Sequence, residues 1–166
     1  MVEDELLHLW RKIIAETPGH AWFLHGPNHW TRVERNGKHL ATCLGLDELI
    51  VRLFAVLHDS MRENESGDPG HGKRAARYAE SIRRDLPPMD EDAFELLLFA
   101  CEGHTDFRHA QSEIVVVCWD ADRLDLGRVG MVPDPDYLNT AEAKRIASAR
   151  DYAVLDSLPV RTPPRR

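Results

Sequence analysis

The chain has 166 residues and a formal net charge of −7, which is enough for one domain with a real core and short for two. Hydrophobic residues make up 43% and charged residues 30%, an ordinary globular composition that excludes a disordered chain. The acidic balance argues against a nucleic-acid polymer as partner but leaves room for a local basic pocket that takes a small phosphate compound.

No basic start followed by an apolar stretch reads as a secretory signal. No apolar run approaches the ~18 residues of a membrane span. A cytoplasmic protein with no membrane partner is expected. Cys43, Cys101 and Cys118 each sit in an apolar run and are expected as buried, reduced thiols. With no CxxC spacing, a thiolate zinc site has no support.

In chain order, residues 3–16 place Leu6, Leu9, Trp10, Ile13 and Ile14 on one helical stripe. Breaks follow at Pro18-Gly19 and Gly26-Pro27. Asn28 is placed to cap a helix through Val33, Leu40 and Cys43. Asp47 is placed to cap the next helix, from Glu48 to Asp59. That segment, ELIVRLFAVLHD, is apolar nearly all round, so it belongs at the centre of a bundle. A helix from about Gly70 to Asp85 comes next, and Asp90 opens another that carries Phe94 and Leu96 to Phe99. Residues 114–119, IVVVCW, have the β-branched content of a strand. With helices on both sides and no partner strand, a buried helix is the better reading. A last helix is expected over residues 140–158, with Thr140 as its cap. The whole reads as an all-α, single-domain helical bundle of about six to eight helices over residues 1–158. Residues 159–166, PVRTPPRR, read as a flexible tail.

Three segments carry chemistry. His58-Asp59 ends the most apolar helix, where an isolated carboxylate is costly unless it is paired or bound to a cation. Adjacent residues on a helix point about 100° apart, so both reach one ion only where the backbone turns away. In residues 25–33, HGPNHWTRV, His25 and His29 lie four apart and can share a face. In residues 119–127, WDADRLDLG, three aspartates emerge from the buried segment. They suit a hard or borderline cation, or ion pairs with Arg123 and Arg128. Taken one at a time, each segment also has a plain structural reading.

Taken together and in order, His29, then His58-Asp59, then Ala121-Asp122-Arg123-Leu124 resemble the HD-domain superfamily of metal-dependent phosphohydrolases. The resemblance runs from about His25 to Gly130, roughly two-thirds of the chain. It implies an HD-type bundle with His29, His58, Asp59 and Asp122 as metal ligands. His25 is the second choice for His29, and Asp120 and Asp125 are the alternatives to Asp122. Binuclear members carry extra histidines between the dipeptide and the last aspartate, and His71 and His104 fall there. They are expected to bind a second metal or to contact substrate phosphate. His8, His20, His39 and His109 match nothing in the family and read as structural.

Nucleotide-cleaving relatives place an acidic residue three positions after the dipeptide aspartate. Here that residue is Arg62, which suits a phosphate clamp or an ion pair with Glu63 or Glu65. The expected activity is hydrolysis of a phosphate ester, a nucleotide among the candidates, by a metal-activated water. Asp59, Arg62, His71 and His104 form the expected catalytic set, and Arg62, Lys73 and Arg123 the expected phosphate contacts. The ligand set suits Mn, Fe, Co, Ni or Zn, with Mg admissible, and one ion rather than two. The rivals are a di-iron oxygenase of the HD type, which needs His71 and His104 as ligands, and a non-catalytic metal- or nucleotide-binding regulatory module. The expected partner is a small phosphorylated substrate. Small bundles often pair, so a homodimer is an open option.

Overall fold

The computed structural model describes residues 3–18 and 23–164. Gly19 of the first break, His20, and Arg165 and Arg166 of the tail lie outside them. The described residues form eight α-helices and no strand. They are α1 (Glu3–Glu16), α2 (Pro27–Leu44), α3 (Leu49–Leu57), α4 (His71–Ser81), α5 (Glu91–Gly103), α6 (Glu113–Arg123), α7 (Ala141–Ala149) and α8 (Ala153–Asp156), with short 3-10 turns at Leu126–Val129 and Pro135–Tyr137. No helix among the described residues is long and apolar enough to cross a membrane.

The IVVVCW segment is helical, as its neighbours require. Val115, Val117, Cys118 and Trp119 are fully buried in α6. The nearly all-apolar α3 lies at the centre, in contact with α1, α2, α4, α5 and α6. Trp10, Trp30, Phe54 and Trp119 are the bulkiest side chains of the core. Cys101 and Cys118 are buried free thiols, whereas Cys43, at the end of α2, is exposed.

Two helix starts differ in detail from the sequence reading. Gly26 rather than Asn28 caps α2, because Pro27 takes the first helical position, where its fixed φ fits and its missing N–H costs nothing. Asp47 accepts the Leu49 amide at 2.8 Å, so it caps α3 from one residue outside the formal start. Asp90 caps α5 as expected, accepting the Ala93 amide. The final helix does not run unbroken over residues 140–158. It stops at Arg150, which takes the left-handed conformation (φ 54°) and sends its amide back to the end of α7. No glycine marks this stop in the sequence.

Two glycines set helix spacing near the site. A Cβ on Gly37 would lie 2.1 Å from Val51 Cγ1 and 3.3 Å from the Ala121 Cβ, so α2 packs tightly on α3 and α6. A Cβ on Gly72 would lie 2.7 Å from the carbonyls of Cys101 and Glu102. Only a residue with no side chain lets the start of α4 come so near the end of α5.

At the other end of the chain, Arg161 pairs with Glu34 at 2.9 Å and with Glu3 at 2.5 Å, and lies over the Trp10 ring.

Candidate metal centre

Five helix ends converge at one place. His29 comes from the first turn of α2, and His58 terminates α3 with Asp59 just beyond it. His71 opens α4, His104 terminates α5, and Asp122 lies in the last turn of α6. α3 stops at Leu57, and a turn follows in which Ser60 N–H donates to the Leu57 carbonyl. This is the departure from helical direction that lets two adjacent side chains serve one locus.

The donor atoms are close together. His29 Nε2 lies 3.1 Å from His58 Nε2 and 3.2 Å from Asp122 Oδ1. Asp59 Oδ2 is 3.6 Å from His29 Nε2 and 3.5 Å from His58 Nε2. Its other oxygen, Oδ1, is 3.2 Å from His71 Nε2 and 3.7 Å from His104 Nε2. Those two imidazole nitrogens are 2.9 Å apart. Ligands held about 2.0–2.2 Å from one cation stand about 3–3.5 Å from each other. Three overlapping sets, His29/His58/Asp59, His58/His104/Asp122 and Asp59/His71/His104, could each hold an ion.

Proton placement makes the same point independently. His58 Nδ1 lies 3.1 Å from the carbonyls of Phe54 and Ala55, His71 Nδ1 2.6 Å from the Asp68 carbonyl, and His104 Nδ1 2.7 Å from the Cys101 carbonyl. A carbonyl only accepts, so each Nδ1 carries the hydrogen and each Nε2 a lone pair. His29 Nδ1 is tied in the same way to Asp125 Oδ2 at 2.7 Å. In their neutral forms the four rings therefore aim four Nε2 lone pairs and two carboxylates at one buried locus. Arg62 Nη1, 3.4 Å from Asp59 Oδ1, offsets the concentrated negative charge on one side, and a divalent cation would offset it at the centre. The donor set thus fits a divalent metal, with each ring oriented by its outer hydrogen bond.

The titration tendencies agree with this. Burial pushes His58 down to about 3, so its ring stays neutral. Burial acts to raise the carboxyl of Asp59, but His58, His104 and His71 outweigh it and hold Asp59 well below the ordinary range. Burial likewise opposes ionisation of Asp122, and the hydrogen bond from His29 with the charges around it keeps it an anion. For His29 and His104 burial disfavours the charged ring, but the facing aspartates overcome it and the tendency is upward. Both tendencies favour positive charge at the cluster.

Of the two histidines weighed for α2, the structure brings His29 into the cluster. His25 turns to Glu65, 2.9 Å away, and its carbonyl accepts from Trp30 Nε1. Asp120 is buried on the opposite side of α6, where it accepts the amides of Asn139 and Thr140. It anchors the start of α7 and is remote from the donors. Asp125 lies behind His29 and is gripped by Arg32 through Nε at 2.7 Å and Nη2 at 3.0 Å. This backing pair is visible in the sequence only as two i, i+3 spacings, His29/Arg32 and Asp122/Asp125.

The three cations expected to meet phosphate are placed differently. Arg62 is buried beside the cluster, with Nη1 3.4 Å from Asp59 Oδ1 and 3.2 Å from His71 Nε2. Its other nitrogens donate to the carbonyls of Asn64 and Ser66. Its ion pair is with Asp59, while Glu65 faces His25 and Glu63 faces Arg74. Lys73 points outward from α4, 62% exposed, toward Glu102. Arg123 donates to the carbonyls of His104, Phe107, Arg108 and Tyr137. Its guanidinium is spent on holding the loop after α5, so neither Lys73 nor Arg123 joins the cluster.

No protein-family model matches the chain, and no curated protein matches it. Among solved structures it is similar to the crystal structure of a predicted HD superfamily hydrolase from an uncultured Thermotogales bacterium. The two share 22% sequence identity over 93% of this chain and 87% of that one, with a TM-score of 0.64. At that identity the likeness speaks for the fold, and the chain has the helical fold of the HD superfamily.

Proposed function

We propose that the chain is a metal-dependent hydrolase acting on a phosphate ester, nucleotides included, with His29, His58, Asp59 and Asp122 as metal ligands. The observation that carries this reading is the convergence of imidazole lone pairs and carboxylates at one buried locus. A bound divalent ion would lower the pKa of its water toward neutrality and offset phosphoryl charge. The chain's own groups supply the rest. Asp59, an anion facing both halves of the cluster, accepts a hydrogen bond from the attacking water and orients it. Arg62 Nη1, already beside Asp59, presents a fixed positive charge to a phosphoryl oxygen. Asp122 is the most exposed donor, at 17%, so substrate enters on its side.

The test is to purify the protein, measure bound metal, and screen phosphate esters with wild type and Asp59→Ala side by side. Loss of turnover in the variant supports the reading, and equal turnover overturns it. Tight nucleotide retention with no product in wild type would favour a regulatory module instead.

The placement of His71 and His104 within 3.2 and 3.7 Å of Asp59 favours a second reading, a two-iron oxygenase. That reading requires two irons per chain and oxygen uptake with an organic substrate. Elemental analysis giving one metal per chain, or no iron, excludes it.

A further inference from the structure

A cavity of about 550 Å³ lies beside the metal centre but contains none of its six donors in its lining. Its volume is in the range of pockets that enclose small organic molecules, about 300–1,000 Å³. Arg32, Arg35, Arg128 and Arg150 line it against only two acids, Asp125 and Asp156. This is a local reversal of sign in a chain with a net charge of −7.

The acids are already engaged. Asp125 is taken by Arg32 and His29, and Asp156 is met by Arg35 at 3.2 Å. The hydrogen bonds of Arg32 and Arg128 leave Nη1 of the first and Nη2 of the second unused among the described residues. The Arg150 guanidinium has no hydrogen bond or ion pair among them. Arg150 also has a φ of 54°, a conformation that glycine adopts freely and an arginine does not. Arg150 is exposed at the C-terminal end of α7, so its solvated guanidinium is open to an anion at the cavity mouth.

Tyr152 adds to the lining. It lines the same cavity, and its hydroxyl is shut off from water with no hydrogen-bond partner among the described residues. A hydroxyl that water cannot reach is closed to a ligand as well, so Tyr152 contributes only lining to the cavity. Leu124 and Leu155 form an apolar wall, and Val132, 63% exposed, stands in the lining.

We propose that this cavity is a binding site for a small organic anion. Its phosphate or carboxylate meets Arg150, with one N–H each from Arg32 and Arg128, and its carbon skeleton lies against Leu124 and Val132. The inference does not depend on the proposed function, since no donor of the metal centre takes part.

Benzylphosphonate is a suitable probe because it joins an anion to an apolar ring and has no ester to cleave. Calorimetry on the protein as purified is expected to give a Kd below about 1 mM. Methylphosphonate and benzyl alcohol, its two halves, are expected to bind at least about tenfold more weakly. Val132→Asp, an exposed change that adds a negative charge to the wall, is expected to weaken benzylphosphonate at least about tenfold. Arg150→Gly is expected to weaken it similarly while melting no lower than wild type. If Arg150→Gly melts lower, Val132→Asp alone decides. In amide NMR spectra the probe is expected to move Gly127 and Arg150 and to leave His71 and His104 in place. No binding up to about 5 mM, unchanged binding in Val132→Asp, or shifts confined to His71 and His104 would each overturn the proposal.

Discussion

The carboxylate of Asp125 accepts the Nδ1 hydrogen of His29 at 2.7 Å while Arg32 clamps both of its oxygens from the far side. The imidazole is thus fixed in tautomer and rotation by a residue that faces away from the donor cluster. Removing such a backing partner typically lowers metal affinity about 10–100-fold. Asp125→Asn is expected to bind metal within that range of weakening, measured by competition with a chelator of known affinity, while keeping its helical content. Wild-type affinity in the variant would mean that α2 alone orients His29.

The facing Nε2 atoms of His29 and His58 predict a large effect of metal on stability. A metal that binds only the folded state at 100 times its Kd adds about 2.7 kcal/mol, or roughly 5–10 °C in melting temperature for a chain of this size. Chelator-treated protein should therefore melt higher when Mn, Fe or Zn is restored. His58→Ala should abolish most of that gain. A melting curve indifferent to added metal in wild type counts against the site.

Gly72 tests whether helix spacing governs His71. A methyl group there meets two α5 carbonyls at 2.7 Å, and α4 has to move outward. Overpacking of this kind costs about 1–3 kcal/mol. Gly72→Ala is expected to lower the melting temperature and to weaken metal binding, because His71 moves with α4 away from Asp59, whose Oδ1 it meets at 3.2 Å. Gly127→Ala, where a Cβ meets nothing within 4 Å, is the control and should change neither.

Far from the donor cluster, the hydrogen bond from Arg145, aided by His39, holds the Glu142 carboxyl down to about 2 against its usual 4.5. A carboxylate whose folded pKa is depressed contributes its stability above the unfolded value and loses it as pH falls through the folded one. Wild type should therefore melt slightly above Glu142→Gln near pH 5, by no more than about 3 °C for so exposed a pair. The gap should close as the pH approaches 2. A gap that widens on acidification would reverse the assignment.

Much of the bundle was legible because apolar periodicity and caps act locally. The stripe of α1, the Asp90 cap and the all-round apolar character of α3 each follow from neighbouring residues. His58-Asp59 at a helix end, His29 and Asp122 were readable as an ordered motif, and the geometry brings them together. What escaped the sequence depends on distant packing. Arg123 looked like a phosphate contact because nothing local shows that four loop carbonyls surround it. The break at Arg150 carries no glycine, so the last helix read as continuous. Asp125 reads as one of three similar aspartates until α2 is laid beside α6.

The six donors come from the termini of five helices rather than from their middles. Helix termini ordinarily fray one by one, each on its own small free energy. A single cluster that ties five of them makes these openings mutually dependent. Loading the site would then slow amide exchange near Trp30, Ser60, Gly72, Thr105 and Arg123 in concert, although these residues are distant in the chain, so that the metal acts on the bundle as a knot acts on five loose cords.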